Sequence, residues 1–508
     1  MGTSTVPAEA ADTAGDAVAP VPWRVVLGIA GALGAVLVAV SARYGFHGDE
    51  LYFLVAGRHL DWGYPDQPPL VPLIMRGVTE VFGPSIVAVR VVAAAVAAAG
   101  VVVAALTARE MGGTRRAQVL TAGAYAVCPF TVANGHTLYT SSVDLFVTTT
   151  LVWVVIRWVR TRDHRLLLAA GAIAGVASQV KYLVVIVLLA IVAGIVISGP
   201  REVFRRPVLY AGTAVAVAAA VPGFVWQYSN GWPQLAMARA IAADDVYGGP
   251  AGFLVNEFLM TGIVLSVLAV WGVWGLLRSP ELRPFRFLAL AFLLLTVFFM
   301  ATGGKPYYLA GLWAAMWAAG AVWAERRQGR SRWGWVTSAP VFLVTATVSV
   351  LMTLPVYPVD TLARTPQPLL NPEGAETVGW PRLTAQVARV YRSLPPAERA
   401  RTTILAADYS LAGALDLYGR PLGLPTVHSA HTGFWYFGRP ATDGGTTIAV
   451  GFDKDDIDWV WTRTTHAATL DNGVGLNNRA QGRPVWICRG QRYPWSVLWP
   501  RFKSPLDS

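Results

Sequence analysis

The chain has 508 residues, of which 54% are hydrophobic and only 14% are charged. Soluble globular domains carry about 25% charged residues, so this composition and its repeated apolar runs exclude an ordinary soluble protein and indicate a membrane protein. The net charge of +11 does not predict a nucleic-acid partner, because arginine accumulates in the cytoplasmic loops of membrane proteins.

The apolar runs begin after an N-terminal tail. Residues 1–22 are rich in Ala, Pro, Thr and Asp and lack the basic segment of a signal peptide, so we predict a disordered cytoplasmic tail. Residues 23–355 are predicted to form a transmembrane module, with a first outer loop over 43–84. Its eleven candidate spans lie near 23–42, 85–107, 117–133, 143–159, 166–179, 182–199, 208–228, 253–276, 287–302, 309–324 and 336–355.

The number of spans depends on the segment 166–199, which reads as one long helix or as two short ones divided at Gln179-Val180-Lys181. With two helices, eighteen arginines fall in the predicted cytoplasmic loops and five basic residues fall in the opposite loops. With one helix, ten of those arginines would move to the outside. The positive-inside rule therefore favours eleven spans in the plasma membrane, with the N-terminus inside and the C-terminus outside.

The pattern changes in residues 356–508, where apolar runs shorten to strand length. Predicted strands cover Thr403–Ala407, Thr446–Gly451 and Val485–Cys488, and predicted helices lie around Leu411–Tyr418 and Asp455–Thr462. Alternating strands and helices indicate a small α/β domain. The predicted topology makes this domain extracytoplasmic.

The first outer loop begins with two adjacent acids, Asp49 and Glu50, directly after the first span. A carboxylate at a membrane surface can serve as a general base or as a metal ligand. The alternative is that this pair caps the helix that follows.

A second acid, Asp144, lies at the start of the predicted span 143–159, a short distance after His136. An acid at membrane depth costs roughly 2.5–3.5 kcal/mol to insert, so it usually has a partner or a function. The alternative for Asp144 is again a helix cap, and His136 alone is more often a satisfied loop histidine.

Lys181 and Lys305 are the only lysines before residue 454, and both lie at predicted outer ends of spans. Together with Arg58 they form a candidate site for the phosphate of a lipid carrier. The alternative is that each lysine extends to lipid headgroups. The loop that contains Trp232 is rich in aromatic residues, which is typical of anchoring at the membrane interface.

The order of these features resembles the GT-C superfamily, specifically bacterial family 39 membrane glycosyltransferases related to protein O-mannosyltransferases, lipid A aminoarabinose transferases and rhizobial lipid A galacturonosyltransferases. The resemblance covers residues 23 to 490. The motifs that carry it are Gly48-Asp49-Glu50-Leu51-Tyr52, Tyr64-Pro65-Asp66-Gln67-Pro68-Pro69-Leu70, Ser142-Val143-Asp144, Lys181-Tyr182, Trp226-Gln227, Gly231-Trp232-Pro233, Gly303-Gly304-Lys305-Pro306-Tyr307-Tyr308-Leu309, Asp408-Tyr409, Ala412-Gly413-Ala414 and Leu417-Tyr418-Gly419.

The resemblance implies a polyprenyl-phosphate sugar donor, membrane lipids as surroundings and an extracytoplasmic acceptor, which is a lipid, a glycan or a protein. It makes Asp49 the general base of an inverting displacement, with Glu50 as the second catalytic acid. The resemblance also implies that Asp66, Asp144 and His136 orient the acceptor or a divalent ion, and that Asp49 and Asp66 bind the metal. It implies that the donor phosphate is contacted by Arg58, Lys181 and Lys305. The acceptor and lipid path would be lined by Tyr307, Tyr308 and Trp232.

The sequence departs from the aminoarabinose branch at two positions. That branch has a lysine before the Pro-Pro pair and an arginine shortly after the acidic pair, where this chain has Gln67 and Tyr52. Either Arg58, Lys181 or Lys305 supplies the cationic contacts, or the donor has a different head group, so this departure weakens the assignment of a particular sugar.

Three other classes compete with the transferase. A transporter or lipid flippase would place ionisable groups near the midplane, with inverted repeats and broken helices. An envelope scaffold would perform no chemistry. A nucleotide-sugar transferase would need acidic residues on the cytoplasmic face, where the loops are short and rich in arginine.

Overall fold

We describe a computed structural model of the chain, which covers residues 18–244, 246–327 and 334–503. Most of the predicted disordered tail, residues 1–17, lies outside the described residues. The described chain is a bundle of helices followed by a small domain that contains a β-sheet.

Sixteen α-helices form the N-terminal bundle in the described residues. They are α1 (Trp23–Val40), α2 (Gly48–Ala56), α3 (Leu70–Phe82), α4 (Ile86–Glu110), α5 (Arg115–Val127), α6 (Pro129–His136), α7 (Thr140–Thr161), α8 (Arg165–Ser178), α9 (Val184–Ser198), α10 (Pro207–Ser229), α11 (Pro233–Ala243), α12 (Gly249–Thr261), α13 (Ile263–Arg278), α14 (Arg286–Thr302), α15 (Ala310–Arg326) and α16 (Ala339–Thr353).

Five helical segments in the described chain are long and apolar enough to cross a membrane: α1, α4, α7, α10 and the segment Arg283–Thr302 that contains α14. A sixth is the pair α12 and α13 if they are counted as one broken span, and α8, α9 and α16 are shorter apolar helices. The protein is therefore a polytopic helical membrane protein. The exact number of eleven spans stays a prediction.

Two predicted spans are interrupted in the structure. The span 253–276 was expected to be continuous, but α12 and α13 meet at Gly262 with a bend of 105°. Gly262 has φ +94°, a conformation that ends a helix and that favours glycine. The span 117–133 is divided between α5 and α6 because Pro129 forces the preceding Cys128 into an extended conformation (ψ 126°).

The predicted division of 166–199 into two helices is confirmed. Helix α8 ends at Ser178 and α9 begins at Val184, so Lys181 lies in the break between them.

A connecting segment and the C-terminal domain follow the bundle. Their elements are α17 (Val359–Leu362), α18 (Gln367–Leu370), α19 (Pro372–Ala375), α20 (Trp380–Ser393), α21 (Pro396–Arg399), β1 (Thr403–Ala406), α22 (Tyr409–Gly419), β2 (Val427–Ser429), β3 (Thr447–Val450), α23 (Lys454–Ile457), β4 (Trp461–Thr469), β5 (Pro484–Gln491) and α24 (Trp495–Phe502).

The five strands of this domain form one mixed sheet in the order β2-β1-β3-β5-β4. Strand β1 pairs in parallel with β2 and β3, whereas β5 pairs antiparallel with β3 and β4. The three predicted strands match β1, β3 and β5. The predicted helix Asp455–Thr462 is wrong in its second half, because α23 ends at Ile457 and β4 begins at Trp461.

The domain docks closely on the first loop of the bundle. One buried apolar cluster contains residues from both parts, among them Leu51, Val89, Val147, Val184, Ile404, Leu411 and Val450. Glycine permits one of the close contacts, since a Cβ at Gly413 of α22 would lie 2.8 Å from the Leu51 Cβ of α2. The two helices could not approach so closely with a larger residue at that position.

We predict that Gly413→Ala loosens this docking. The added methyl group overpacks the contact with Leu51, which typically costs about 1–3 kcal/mol, so the melting temperature of the purified protein should fall. Gly77→Ala in α3 is the matched control, because a Cβ there meets no atom within 4 Å and alanine is the better helix former. Equal melting temperatures for the two variants would contradict the close docking.

Candidate active site

The candidate site is built around the first turn of α2. His47 caps this helix, since its Nδ1 accepts a hydrogen bond from the backbone N–H of Asp49 at 3.1 Å. The Glu50 carboxylate in turn accepts from the His47 N–H at 2.9 Å, which completes a capping box. The helix dipole favours acidic side chains at this end.

The buried Glu50 carboxylate bonds to groups of the protein itself. Its side chain is 0% exposed and pairs with Arg90 of α4 at 3.1 Å, and its Oε1 accepts from the Leu138 N–H at 3.2 Å. Arg90 also donates to the backbone carbonyls of Ser41 at 2.8 Å and of Gly45 at 2.7 Å. Sequence reasoning missed Arg90, although an arginine inside an apolar run is a usable signal.

Asp49 and Asp66 each face a tyrosine, and we call these four residues the acidic cluster. The Tyr409 hydroxyl of the C-terminal domain donates to Asp49 Oδ1 at 2.8 Å. The Tyr52 hydroxyl donates to Asp66 Oδ1 at 2.9 Å. The two tyrosine rings lie 5.4 Å apart, so they hold the two carboxylates in one arrangement.

Burial changes the ionisation of the acidic cluster. Burial raises the pKa of Asp66 to about 7, although the hydrogen bond from Tyr52 acts in the opposite direction. Burial and then the charge of Asp66 raise the pKa of Tyr52 well above its ordinary value. Burial and then the charge of Asp49 do the same to the pKa of Tyr409, so both hydroxyls remain hydrogen-bond donors.

A second group, the lysine cluster, consists of Asp144, Lys181, Lys305, Tyr307 and Tyr308. The Lys181 ammonium lies 5.1 Å from the ring centre of Tyr307 and 4.8 Å from that of Tyr308, within the range of cation–π contacts. The charges of Asp144 and Lys305 both act on Lys181. Asp144 lies inside α7 and accepts from the Thr148 hydroxyl at 3.2 Å, so it is not the cap of that helix.

The connecting segment also reaches the first turn of α2. Glu373 belongs to α19 of the connecting segment, and its carboxylate lies 2.8 Å from His47 Nε2 with 63% of its side chain exposed. Sequence reasoning missed Glu373 and His47, because only the folded chain brings residues 326 positions apart together.

Three residues predicted for the site lie elsewhere or have other contacts. Arg58 is exposed at the far end of α2 and pairs with Asp416 of the C-terminal domain, rather than with the lysines. Trp232 is 38% exposed and its ring packs against Phe224 at 6.2 Å. His136 is 5% exposed at the end of α6, and the charge of Arg90 acts on it.

The predicted divalent ion finds no protein-held site in the described part of the chain. No group of three or more His, Cys, Asp or Glu side chains there is arranged to bind a metal. Asp49 and Asp66 each have one oxygen engaged by a tyrosine, and two carboxylates do not complete the six to eight oxygen ligands of a calcium site. The described residues do not fit a metal held by the protein alone.

Comparisons with known proteins were made for both the sequence and the fold. The family model described as dolichyl-phosphate-mannose-protein mannosyltransferase matches residues 66–226. No curated protein matches the chain. ArnT from Cupriavidus metallidurans bound to undecaprenyl phosphate is similar in structure, with a TM-score of 0.60, 17% sequence identity, and coverage of 92% of this chain and 97% of that chain.

Two further structures are similar. The apo form of the same ArnT has a TM-score of 0.59 at 17% identity, with coverage of 92% of this chain and 97% of that chain. The oligosaccharyltransferase AglB from Archaeoglobus fulgidus, in complex with an inhibitory peptide and a dolichol-phosphate, has a TM-score of 0.48 at 11% identity, and the match covers 78% of this chain and 63% of that chain.

The likeness to ArnT shows that the described chain has an ArnT-like GT-C membrane fold. The family model over residues 66–226 and this fold together confirm the resemblance to GT-C glycosyltransferases of the family 39 type.

The buried ion pair between Glu50 and Arg90 gives the first prediction for this site. Glu50→Gln leaves the Arg90 charge without its partner, which typically costs about 3–5 kcal/mol, so the folded yield and the melting temperature should fall sharply. Glu80→Gln is the matched control, because the Arg76–Glu80 pair is largely exposed and worth at most about 1 kcal/mol. A Glu50→Gln variant as stable as the control would show that the pair is dispensable.

Asp66 gives a second prediction, on pH. The pKa of an aspartate in an unfolded chain is about 3.9, whereas burial raises the pKa of Asp66 in the folded protein to about 7. The folded state therefore binds more protons between these values, so stability falls as pH rises through this window, by about 1.4 kcal/mol per pH unit at most. Asp66→Asn removes this titration.

The measurement is the melting temperature of Asp66→Asn minus that of the natural protein, followed from about pH 5 to about pH 7.5. The difference should grow in favour of the variant as pH rises. Asp455→Asn, at an exposed position, should give a constant difference. A constant difference for both variants would contradict a titrating Asp66.

Proposed function

We propose that the protein is a membrane glycosyltransferase that moves a sugar from a polyprenyl-phosphate donor to an acceptor hydroxyl on the extracytoplasmic face. The observations that carry the proposal are the Asp49 carboxylate, whose Oδ1 accepts from Tyr409, and the Lys181 ammonium, which lies over the rings of Tyr307 and Tyr308. Displacement of the phosphate by an acceptor hydroxyl needs two groups: a base for the hydroxyl proton and positively charged side chains that bind the leaving phosphate. The structurally similar ArnT from Cupriavidus metallidurans binds undecaprenyl phosphate, which is a lipid-carrier phosphate.

Asp49 is the proposed general base. Its carboxylate takes the proton of the acceptor hydroxyl as the hydroxyl oxygen attacks the anomeric carbon. The bond between the anomeric carbon and the phosphate oxygen breaks, and polyprenyl phosphate leaves with the bonding electron pair. Because attack and departure occur on opposite faces, the anomeric configuration inverts.

Lys181 and Lys305 are the proposed partners of the leaving phosphate. An ammonium group is a compact charge that stabilises a developing phosphate anion. Tyr307 and Tyr308 orient Lys181 through their ring faces. Asp144 lies close enough for its charge to act on Lys181, so it keeps the cation in place when no donor is bound.

Glu50 is proposed as a positioning residue rather than as a second catalytic acid. All of its hydrogen-bonding partners come from the protein, and its side chain is closed off from solvent. Asp66 is proposed to orient the acceptor. Burial raises its pKa to about 7, so a fraction of the molecules carries a carboxyl proton at neutral pH that can be donated to a sugar oxygen.

A lipid flippase is the second candidate, and one observation favours it. The pair α12 and α13 is broken by 105°, and broken helices are typical of transporters. A flippase would move the lipid-linked sugar without consuming it, so measuring consumption of the donor separates the two functions.

The test is incubation of the purified protein in lipid nanodiscs with a panel of polyprenyl-phosphate sugars, with release of polyprenyl phosphate as the readout. Asp49→Asn should lower kcat by about 10²–10⁴-fold while the donor still binds. Asp455→Asn, exposed in the C-terminal domain, should leave kcat unchanged. Full turnover by Asp49→Asn, or no consumption of any donor by the natural protein, would refute the proposal.

A further inference from the structure

Tyr409 is the one side chain of the C-terminal domain whose hydroxyl hydrogen-bonds Asp49 in the described chain. Its hydroxyl donates to Asp49 Oδ1 at 2.8 Å across 360 positions of sequence. No hydrogen bond from the described residues occupies Asp49 Oδ2. The contact therefore fixes which carboxylate oxygen is held and which one is left for a substrate.

The Tyr409 ring is itself held firmly. It stacks on His431 with ring centres 5.2 Å apart and planes inclined by 20°, and its backbone N–H donates to His431 Nδ1 at 3.2 Å. Asp408 caps α22 by accepting from the N–H groups of Ser410 at 2.7 Å and Leu411 at 2.9 Å. The helix cap and the stacked His431 ring together fix the position of the Tyr409 hydroxyl.

The distance between α2 and the C-terminal domain is set by two glycines. A Cβ at Gly48 would collide with the Ser410 side chain, and a Cβ at Gly433 would collide with the Tyr52 hydroxyl. These contacts leave no space for the domain to approach more closely, and the packed cluster around Leu51 and Leu411 prevents separation.

We propose that Tyr409 is a positioning residue that holds the Asp49 carboxylate in its reactive orientation, so that the C-terminal domain completes the active site. The inference rests on the proposed function of Asp49. Tyr409 binds Oδ1, and Oδ2 then faces the acceptor hydroxyl. Without the bond, the carboxylate rotates about its side-chain torsions and spends less time in that orientation.

The experiment compares Tyr409→Phe with Tyr391→Phe in the full-length protein. Tyr391 is the matched control, because its hydroxyl donates only to the backbone carbonyl of Arg399 at 3.3 Å, within the same domain. Removal of a hydrogen bond to a charged group corresponds to a loss of about 10- to 100-fold. We expect that loss in kcat for Tyr409→Phe, with the KM for the donor and the melting temperature close to those of Tyr391→Phe.

Two results would overturn the inference. One is a kcat for Tyr409→Phe equal to that of the natural protein. The other is a lower kcat accompanied by a lower melting temperature and a higher KM, which would indicate general damage to the fold. If Asp49→Asn is itself fully active, the proposed function fails as well; if Asp49→Asn is inactive and Tyr409→Phe is fully active, only the role of Tyr409 fails.

Discussion

The buried ion pair between Glu50 and Arg90 is the interaction on which the placement of the candidate site depends. Arg90 fixes the end of α1 through Ser41 and the turn before α2 through Gly45, and Glu50 reaches the segment before α7 through Leu138. Two charges in a dry environment are tolerated only when their hydrogen bonds are complete. This network holds the backbone of the neighbouring Asp49 in a fixed position.

A second constraint comes from the C-terminal domain. Its apolar core is continuous with that of the bundle, so the two parts behave as one packed body at the level of α2. The aromatic contacts around Tyr52 belong to both parts, since its ring lies 5.4 Å from Tyr409 and 6.0 Å from Phe434. The C-terminal domain therefore contributes side chains to one side of the candidate site.

Much of the fold could be predicted from the sequence, because hydropathy and arginine counts are local properties. Each predicted span has a helix in the structure, and the division near Lys181 is confirmed. The breaks at Gly262 and Cys128 were missed because apolar residues continue across them, although Pro129 was a readable signal. In the site, Asp49, Asp144, Lys181 and Lys305 could be named from sequence order. Arg90 was missed although an arginine inside an apolar run is a usable signal, and Glu373 could not be named because its contact with His47 joins distant segments.

The connecting segment has a consequence for how the protein is made. Chains are synthesised and inserted from the N-terminus, but the groups that surround Asp49 come from both ends of the sequence: His47 meets Glu373, and Asp49 meets Tyr409. A nascent chain that has inserted only its helical bundle carries the acids and lysines without these contacts. The candidate site therefore reaches its full set of contacts only after the C-terminal domain has been made.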